Sequence, residues 1–246
     1  RSRRQLHSRS RLPLSHVNSS RRLAQYFRMK TMVAWRSFIQ RPITSLTTAQ
    51  IDALSDEQMA SLSSASVAAL TVDQIGALSS TDVASLSSLA IRSLTSAQVH
   101  ALTADQVDGL SVVQVRSLTT SAIAAIGTDA LGSLNEDQIG ALTSAQAAAL
   151  TTDQIHALSL DQIQSLSTMA VKSLTTKELA ALDTEQISAL RSDHLRAMTT
   201  TEICALSTGQ LQALNADQIA AISTAGIAAL TSAQIVALTT DDIGGL

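Results

Sequence analysis

Large apolar side chains recur with a strict period of eight residues between residues 47 and 246. In these 25 tandem octads the fifth residue is a branched aliphatic or Met in 24 copies, and the eighth is Leu in 22. The two positions are three residues apart, which places them on one face of a helix. The seventh residue is always Ala, Ser or Gly, small enough to let a neighbouring backbone approach. The pattern predicts 25 similar units, each with one apolar face.

The polar positions of the octad predict where each helix begins. Position one is Ser or Thr in 20 of 25 octads, and position four is Gln in 14. This spacing is that of a capping box, in which the hydroxyl and the Gln side chain each satisfy a backbone N–H at the helix start. Acidic residues are frequent at position three, where the helix dipole favours negative charge. We therefore predict an all-α solenoid of very short helices, about six residues each, with one helix per octad.

Two rival architectures account for the pattern less well. In one continuous helix, eight residues turn through 800°, so the apolar pair would advance around the helix with every octad and no partner could bury it. A β-solenoid is the alternative fold, because Thr-Thr pairs recur along the array. Strands, however, require period-two alternation, whereas the large apolar residues here are three apart. If the array were a β-solenoid, its threonine rows would suit ice or polysaccharide binding.

The chain preceding the octads differs in composition. Residues 1–30 are rich in Arg and Ser, and we interpret them as a basic, disordered head or a targeting segment. Residues 31–46 are interpreted as two degenerate octads that cap the array, with Trp35 and Phe38 as a hydrophobic lid. Residues 47–246 form the solenoid. The array carries six basic and 20 acidic residues, whereas the other 11 basic residues all lie before residue 42.

Position six is the variable site of the octad, so it is where we expect partner binding. A binding surface and an unconstrained solvent face are both consistent with this variability. The candidate partner-binding residues are the larger polar ones at this position: Arg92, His100, Arg116, His156, Gln164, Lys172, Arg196 and Gln212.

The chain offers no pattern typical of an active site. His100, His156 and Cys204 share position six but lie six or seven octads apart, too far for one zinc site. His194, which replaces Gln at position four, is expected to affect only its own cap. No phosphate-binding glycine loop and no nucleophile elbow occurs. We therefore expect a non-enzymatic protein with no catalytic, cofactor-binding or metal-binding residues, no specific nucleic-acid recognition and no transmembrane segment.

Two segments carry a resemblance to a known group of proteins. Residues 230–238 (LTSAQIVAL) and 150–158 (LTTDQIHAL) resemble the octapeptide arrays of large, repetitive bacterial proteins described as adhesin-like or haemagglutinin-like. The resemblance spans residues 47–246 and implies a structural or adhesive protein that presents a regular surface to a protein or glycan partner. It implies a cell-surface or secreted location. The array ends in register at Leu246 with no polar cap, from which we expect that the natural chain continues into further octads.

A second functional hypothesis rests on the charge of the N-terminal segment. An intracellular repeat scaffold for protein–protein interaction, directed to its compartment or organelle by the basic head, is consistent with the same residues. The composition of the chain does not choose between the two compartments.

Overall fold

The computed structural model describes residues 43–244. The predicted head (1–30) and most of the predicted capping repeats, including Trp35 and Phe38, lie outside the described residues. From residue 47 onward, every octad forms one short α-helix that begins at position two and ends at position six or seven, except in the thirteenth octad, where it ends at position five. No strand occurs between residues 43 and 244. The prediction of an all-α solenoid is confirmed, and the β-solenoid alternative is wrong for this part of the chain.

The helices are numbered here by octad, so that the first octad holds α1. A 3₁₀ turn over Ile43–Ser45 precedes them. Their bounds are α1 Thr48–Asp52, α2 Asp56–Ala60, α3 Ser64–Ala69, α4 Val72–Gly76, α5 Ser80–Ser85, α6 Ser88–Arg92, α7 Ser96–His100, α8 Ala104–Asp108, α9 Val112–Ser117, α10 Thr120–Ala125, α11 Thr128–Gly132, α12 Glu136–Gly140, α13 Ser144–Ala147, α14 Thr152–Ala157, α15 Leu160–Ser165, α16 Thr168–Ser173, α17 Thr176–Ala181, α18 Thr184–Ser188, α19 Ser192–Ala197, α20 Thr200–Ala205, α21 Thr208–Gln212, α22 Ala216–Ala221, α23 Thr224–Ala228, α24 Ser232–Ala237 and α25 Thr240–Gly244.

Each helix packs on the third helix before it and the third helix after it, from α1 with α4 to α22 with α25. Three octads, or 24 residues, therefore complete one coil of the solenoid. The array has three sides: side A carries α3, α6 and every third helix to α24; side B carries α1 to α25; side C carries α2 to α23. Residues at one octad position in successive helices of a side lie one coil apart.

The chain turns a corner between consecutive helices with two extended residues. Leu158 ends α14 with φ −67° and ψ 134°, and Ser159 caps α15 with φ −69° and ψ 164°. No residue in the described segment has a positive φ, so the corner requires no glycine. The small residue of position seven lies at the coil-to-coil contact: a Cβ added to Gly109 would lie 3.2 Å from the Ser80 carbonyl oxygen of the preceding coil.

The core is a column of the residues at positions five and eight. The position-five side chains, such as Ile155 and Ile163, are completely buried through most of the array, and the position-eight leucines are nearly so. A helix of five or six residues is not stable alone in water. Each helix is therefore stabilised by the coils above and below it, as in other repeat arrays.

The glutamines of position four connect successive coils. Gln154 accepts a hydrogen bond from the Thr151 N–H at its own helix start, with Oε1 2.8 Å from that nitrogen. Its Nε2 donates to the carbonyl oxygens of Ile123 and Ile126 in the preceding coil, at 2.8 and 2.7 Å. Both amide hydrogens and the amide oxygen are thus satisfied, as burial requires.

The same Nε2 bond to a position-eight carbonyl, 28 residues earlier, is repeated at 2.5–2.9 Å along the array. The glutamines that make it are Gln74, Gln98, Gln106, Gln114, Gln138, Gln146, Gln154, Gln162, Gln186, Gln210, Gln218 and Gln234. The first of them, Gln74, donates to Leu46, so the described part of the second degenerate octad receives the same hydrogen bond as a regular one.

Candidate interaction surface

Four octad positions face solvent along the array. Positions four, five and eight are buried and position seven is partly buried, whereas positions one, two, three and six are exposed in most octads. Position one precedes the helix as its cap, so positions two, three and six are the exposed positions of the helix itself. On a short helix, a residue at position six neighbours those at positions two and three, because residues three and four apart share a face. The variable residues of each octad therefore form one small surface cluster per helix.

All eight candidate residues of position six are exposed, but the fold distributes them over three sides. Side A holds Arg92, Arg116, Gln164 and Gln212. Side B holds His100, Lys172 and Arg196. Side C holds His156. The fold therefore does not unite the eight in one site. It brings together only residues one coil apart, Arg92 with Arg116 and Lys172 with Arg196.

Side A carries a cluster of apolar and basic residues on α6 and α9, two helices in direct contact. Leu89 and Val113 at position three are 71% and 65% exposed, and Val112 at position two is 37% exposed. Leu89 lies three residues before Arg92, and Val113 three before Arg116. We refer to Leu89, Arg92, Val112, Val113 and Arg116 as the side A patch.

The apolar members of this patch are not among the position-six candidates. The signal that could have identified them is a departure from the octad pattern: Leu89 and Val113 occupy position three, where acidic residues are frequent. Met169 on side B departs in the same way and is 61% exposed. Single exposed apolar residues are common on protein surfaces, whereas exposed apolar residues that lie together, as Leu89, Val112 and Val113 do, are typical of an interaction site.

Two of the variable residues already have hydrogen-bond partners in the next coil. Nδ1 of His100 lies 3.2 Å from the carbonyl oxygen of Ala125, and Sγ of Cys204 lies 3.0 Å from that of Ala229. A carbonyl oxygen can only accept, so the imidazole and the thiol donate. These side chains therefore contribute to coil-to-coil contact as well as to the surface.

The imidazole of His194 forms a hydrogen bond to the preceding coil in addition to the one at its own helix cap. Its side chain is fully buried; Nδ1 accepts from the Arg191 N–H at 3.3 Å, and Nε2 donates to the Leu166 carbonyl oxygen at 2.8 Å. It therefore reproduces both roles of the usual Gln, and the expectation that it affects only its own cap is wrong. Burial of the imidazole lowers the pKa of His194 below its ordinary value; the nearby positive charge of Arg191 acts in the same direction, while the bond to Leu166 opposes it.

Arg191 stands at a cap position where it makes no capping hydrogen bond with its side chain. Its guanidinium instead forms the ion pair of the described segment, with Nε 2.9 Å from Oδ1 of Asp193, and it also donates to the Gln164 carbonyl oxygen of the preceding coil. The hydrogen bond from Arg191 is the main reason that the pKa of Asp193 is lowered.

No helix among residues 43–244 is long and apolar enough to cross a membrane.

Comparison with known proteins concerns the repeat itself. No curated protein matches the chain. A family model described as the ALTTAQ repeat matches six overlapping or adjacent segments: 78–112, 113–144, 139–168, 170–200, 187–224 and 219–246. These segments cover most of the array and follow its octads in tandem. The chain therefore belongs to the ALTTAQ repeat family.

Proposed function

We propose that the protein is a non-enzymatic structural or adhesive repeat protein, which presents an extended and regular surface to a protein or glycan partner. The observation that carries this proposal is the difference between the buried and the exposed positions of the octad. The buried positions are occupied by packing and by the glutamine bonds between coils, while positions two, three and six vary on the exposed sides. A scaffold that is constant inside and variable outside is suited to recognition, as in other solenoid proteins.

An adhesive role at the cell surface agrees with the resemblance of the octads to bacterial adhesin-like arrays. An intracellular scaffold with a basic targeting head is the second candidate, favoured by the concentration of 11 basic residues before residue 42. The ice-binding or polysaccharide-binding alternative required a β-solenoid, and residues 43–244 contain no strand.

The proposal is tested by a binding screen with the intact chain. The purified protein is labelled and applied to a glycan array, to bacterial and host cell surfaces, and to a panel of immobilised proteins and peptides. We expect saturable binding to one class of partner that is weakened by substitutions at positions two, three or six. A variant with the same substitutions on another side serves as the matched control. Turnover of a bound ligand, or binding that surface substitutions on every side leave unchanged, would contradict the proposal.

A further inference from the structure

We infer that the side A patch is a docking site for an acidic, amphipathic helix of a protein partner. The inference rests on the proposed function, which it narrows to one surface and one class of ligand. It is carried by three features of the patch: unpaired positive charge, exposed apolar area and the spacing of the two coils.

The charge of the patch is opposite to that of the array around it. Arg92 and Arg116 are two of only six basic residues in the octads. Neither guanidinium takes part in an ion pair within the described segment, where Arg191 and Asp193 form the one salt bridge. The octads of α3, α6 and α9, three successive coils of side A, contain no Asp or Glu. Further along the same side, α12, α15 and α18 all carry acidic residues.

The apolar area lies beside the two arginines, three residues before each on the same helix. Leu89 and Val113 occupy the same octad position one coil apart, and Val112 adjoins Val113. The side-chain hydroxyl of Ser64 in α3 donates to the Leu89 carbonyl oxygen at 3.0 Å, which holds the backbone at this point against the neighbouring coil. The patch is therefore presented on a rigid support, which lowers the entropic cost of binding.

The spacing of the arginines indicates the geometry of the ligand. Packed helices lie about 8–10 Å apart, so two residues at the same octad position in successive coils are separated by about that distance. Carboxylates seven residues apart on a helix are separated by about 10 Å along its axis. Apolar residues three and four positions after the first carboxylate face the same way. A helix that lies along the solenoid axis can thus pair its two acids with the arginines and place its apolar residues on Leu89 and Val113.

An anionic membrane surface is a second kind of ligand that could bind a patch of basic and apolar residues. The patch fits it less well, since three apolar side chains on two short helices offer no continuous face of the kind that membrane-surface helices have. We therefore assign the patch to a protein helix and use vesicles as a test.

The experiment measures binding of a fluorescent helical peptide to the intact chain by fluorescence polarisation. The peptide has two glutamates seven residues apart, with two leucines at the third and fourth positions after the first glutamate. A peptide of the same composition with the order scrambled is the ligand control. Two double variants test the patch: Arg92→Ala with Arg116→Ala, and Leu89→Thr with Val113→Thr. Ala is common at position six, and Thr81 and Thr201 already occupy position three, so both variants conform to the octad.

We expect saturable binding of the ordered peptide that each double variant weakens by about tenfold or more. The matched control, Met169→Thr with Lys172→Ala, makes the same kinds of change on side B and leaves binding unchanged. Binding to the arginine variant should also lose its dependence on salt concentration.

Three results would overturn the inference. The first is equal binding of the ordered and scrambled peptides, and the second is undiminished binding by the Leu89 and Val113 variant. The third is the absence of peptide binding together with capture on phosphatidylglycerol vesicles that this variant abolishes, which would assign the patch to a membrane. If the patch fails but the chain still binds a glycan or protein through another side, the inference falls and the proposed function stands.

Discussion

At the scale of single residues, position four determines how the coils are connected. A capping box accepts either Glu or Gln, yet 14 octads have Gln and only Glu178 and Glu202 represent Glu. The structure gives the reason: the cap uses only the side-chain oxygen, whereas the bond to the preceding coil uses the amide hydrogens. Glu178 keeps the bond to its own cap, with Oε2 2.6 Å from the Thr175 nitrogen, but a carboxylate has no hydrogen to donate to the coil before it.

The change Gln154→Glu separates these two roles. The capping bond to Thr151 is retained, while the Ile126 carbonyl loses its Gln154 donor and the Ile123 carbonyl keeps only the backbone N–H of Ile126. We expect the free energy of unfolding to fall by about 1–3 kcal/mol, the cost of leaving a buried acceptor unpaired. Urea denaturation followed by circular dichroism measures the change. The exposed Gln212→Glu is the control for the added charge, and an equal loss there would refute the coil-to-coil role.

His194 makes the stability of the array depend on pH. The folded protein keeps this imidazole neutral, with the hydrogen on Nε2, because its Nδ1 accepts from Arg191 and its surroundings are buried. In the unfolded chain the imidazole has an ordinary pKa of about 6.5. Since the folded pKa is lower, the unfolded chain binds the proton more readily between the two values. The contribution of His194 to the free energy of unfolding is therefore fully present above about pH 6.5. It is lost as the pH falls from there through the folded pKa.

The matched test is His194→Gln, which restores the usual residue and its hydrogen bonds without a titratable group. We expect the urea midpoint of the wild-type chain to decrease from pH 7.5 to pH 5 by more than that of the variant. Asp193 contributes in the same direction only at lower pH, because its own lowered pKa keeps it ionised over this range. Identical pH profiles for the two proteins would show that His194 does not control this dependence.

At the scale of the helix, stability comes from the buried pair at positions five and eight. Local signals define where each helix begins, but five or six residues cannot hold a helix without tertiary contacts. Ala147 shows the consequence, since α13 has an alanine at position five and is the shortest of the described helices, with four residues. The size of the position-five side chain therefore bears on the helix as well as on the core.

The change Ile155→Ala tests this dependence. Ile155 is completely buried, and removal of its branched side chain leaves a cavity in the core, so we expect a loss of about 2–5 kcal/mol in the free energy of unfolding. Val113→Ala shortens an exposed side chain and should change stability by less than about 0.5 kcal/mol. Chemical denaturation of both variants provides the comparison. A small effect at Ile155 would indicate that the coils collapse around the cavity.

At the scale of the whole molecule, the coil of three octads decides which residues are neighbours. An inserted octad continues every buried contact, because each Gln still lies 28 residues after a position-eight carbonyl. The same insertion moves all later helices to the next side. Surface residues are thus rearranged while the interior is preserved.

We therefore predict the effect of inserting a copy of residues 143–150, an uncharged octad, at two places. Inserted after Leu102, it separates α6 from α9 and moves Arg116 off the side of Arg92; inserted after Leu150, it leaves the side A patch intact. Both proteins should have the helix content and thermal midpoint of the original chain, measured by circular dichroism. Only the first should lose binding of the acidic peptide. Undiminished binding by the first would refute three octads per coil, and loss of folding in both would refute the claim that an added octad preserves the interior.

The sequence by itself determined the local structure of the array. The Ser or Thr of position one, the Gln of position four and the apolar residues of positions five and eight predict the helix starts, the short helices and the core, and all are found between residues 47 and 244. These features could be read from the chain because capping and amphipathic spacing act over a few residues. The exposure of position six follows from the same local geometry.

Only the tertiary structure decided how the octads are arranged around one another. The number of octads in a coil depends on the backbone angles at the corners and on packing between residues about 24 apart, and no single octad encodes either. That arrangement assigns Gln154 its partners 28 and 31 residues earlier, makes His194 a link between coils, and places Arg92 beside Arg116 while His156 lies on another side. The physical reason is that a uniform repeat carries the same local instructions in every copy, so its surface sites arise from contacts between coils.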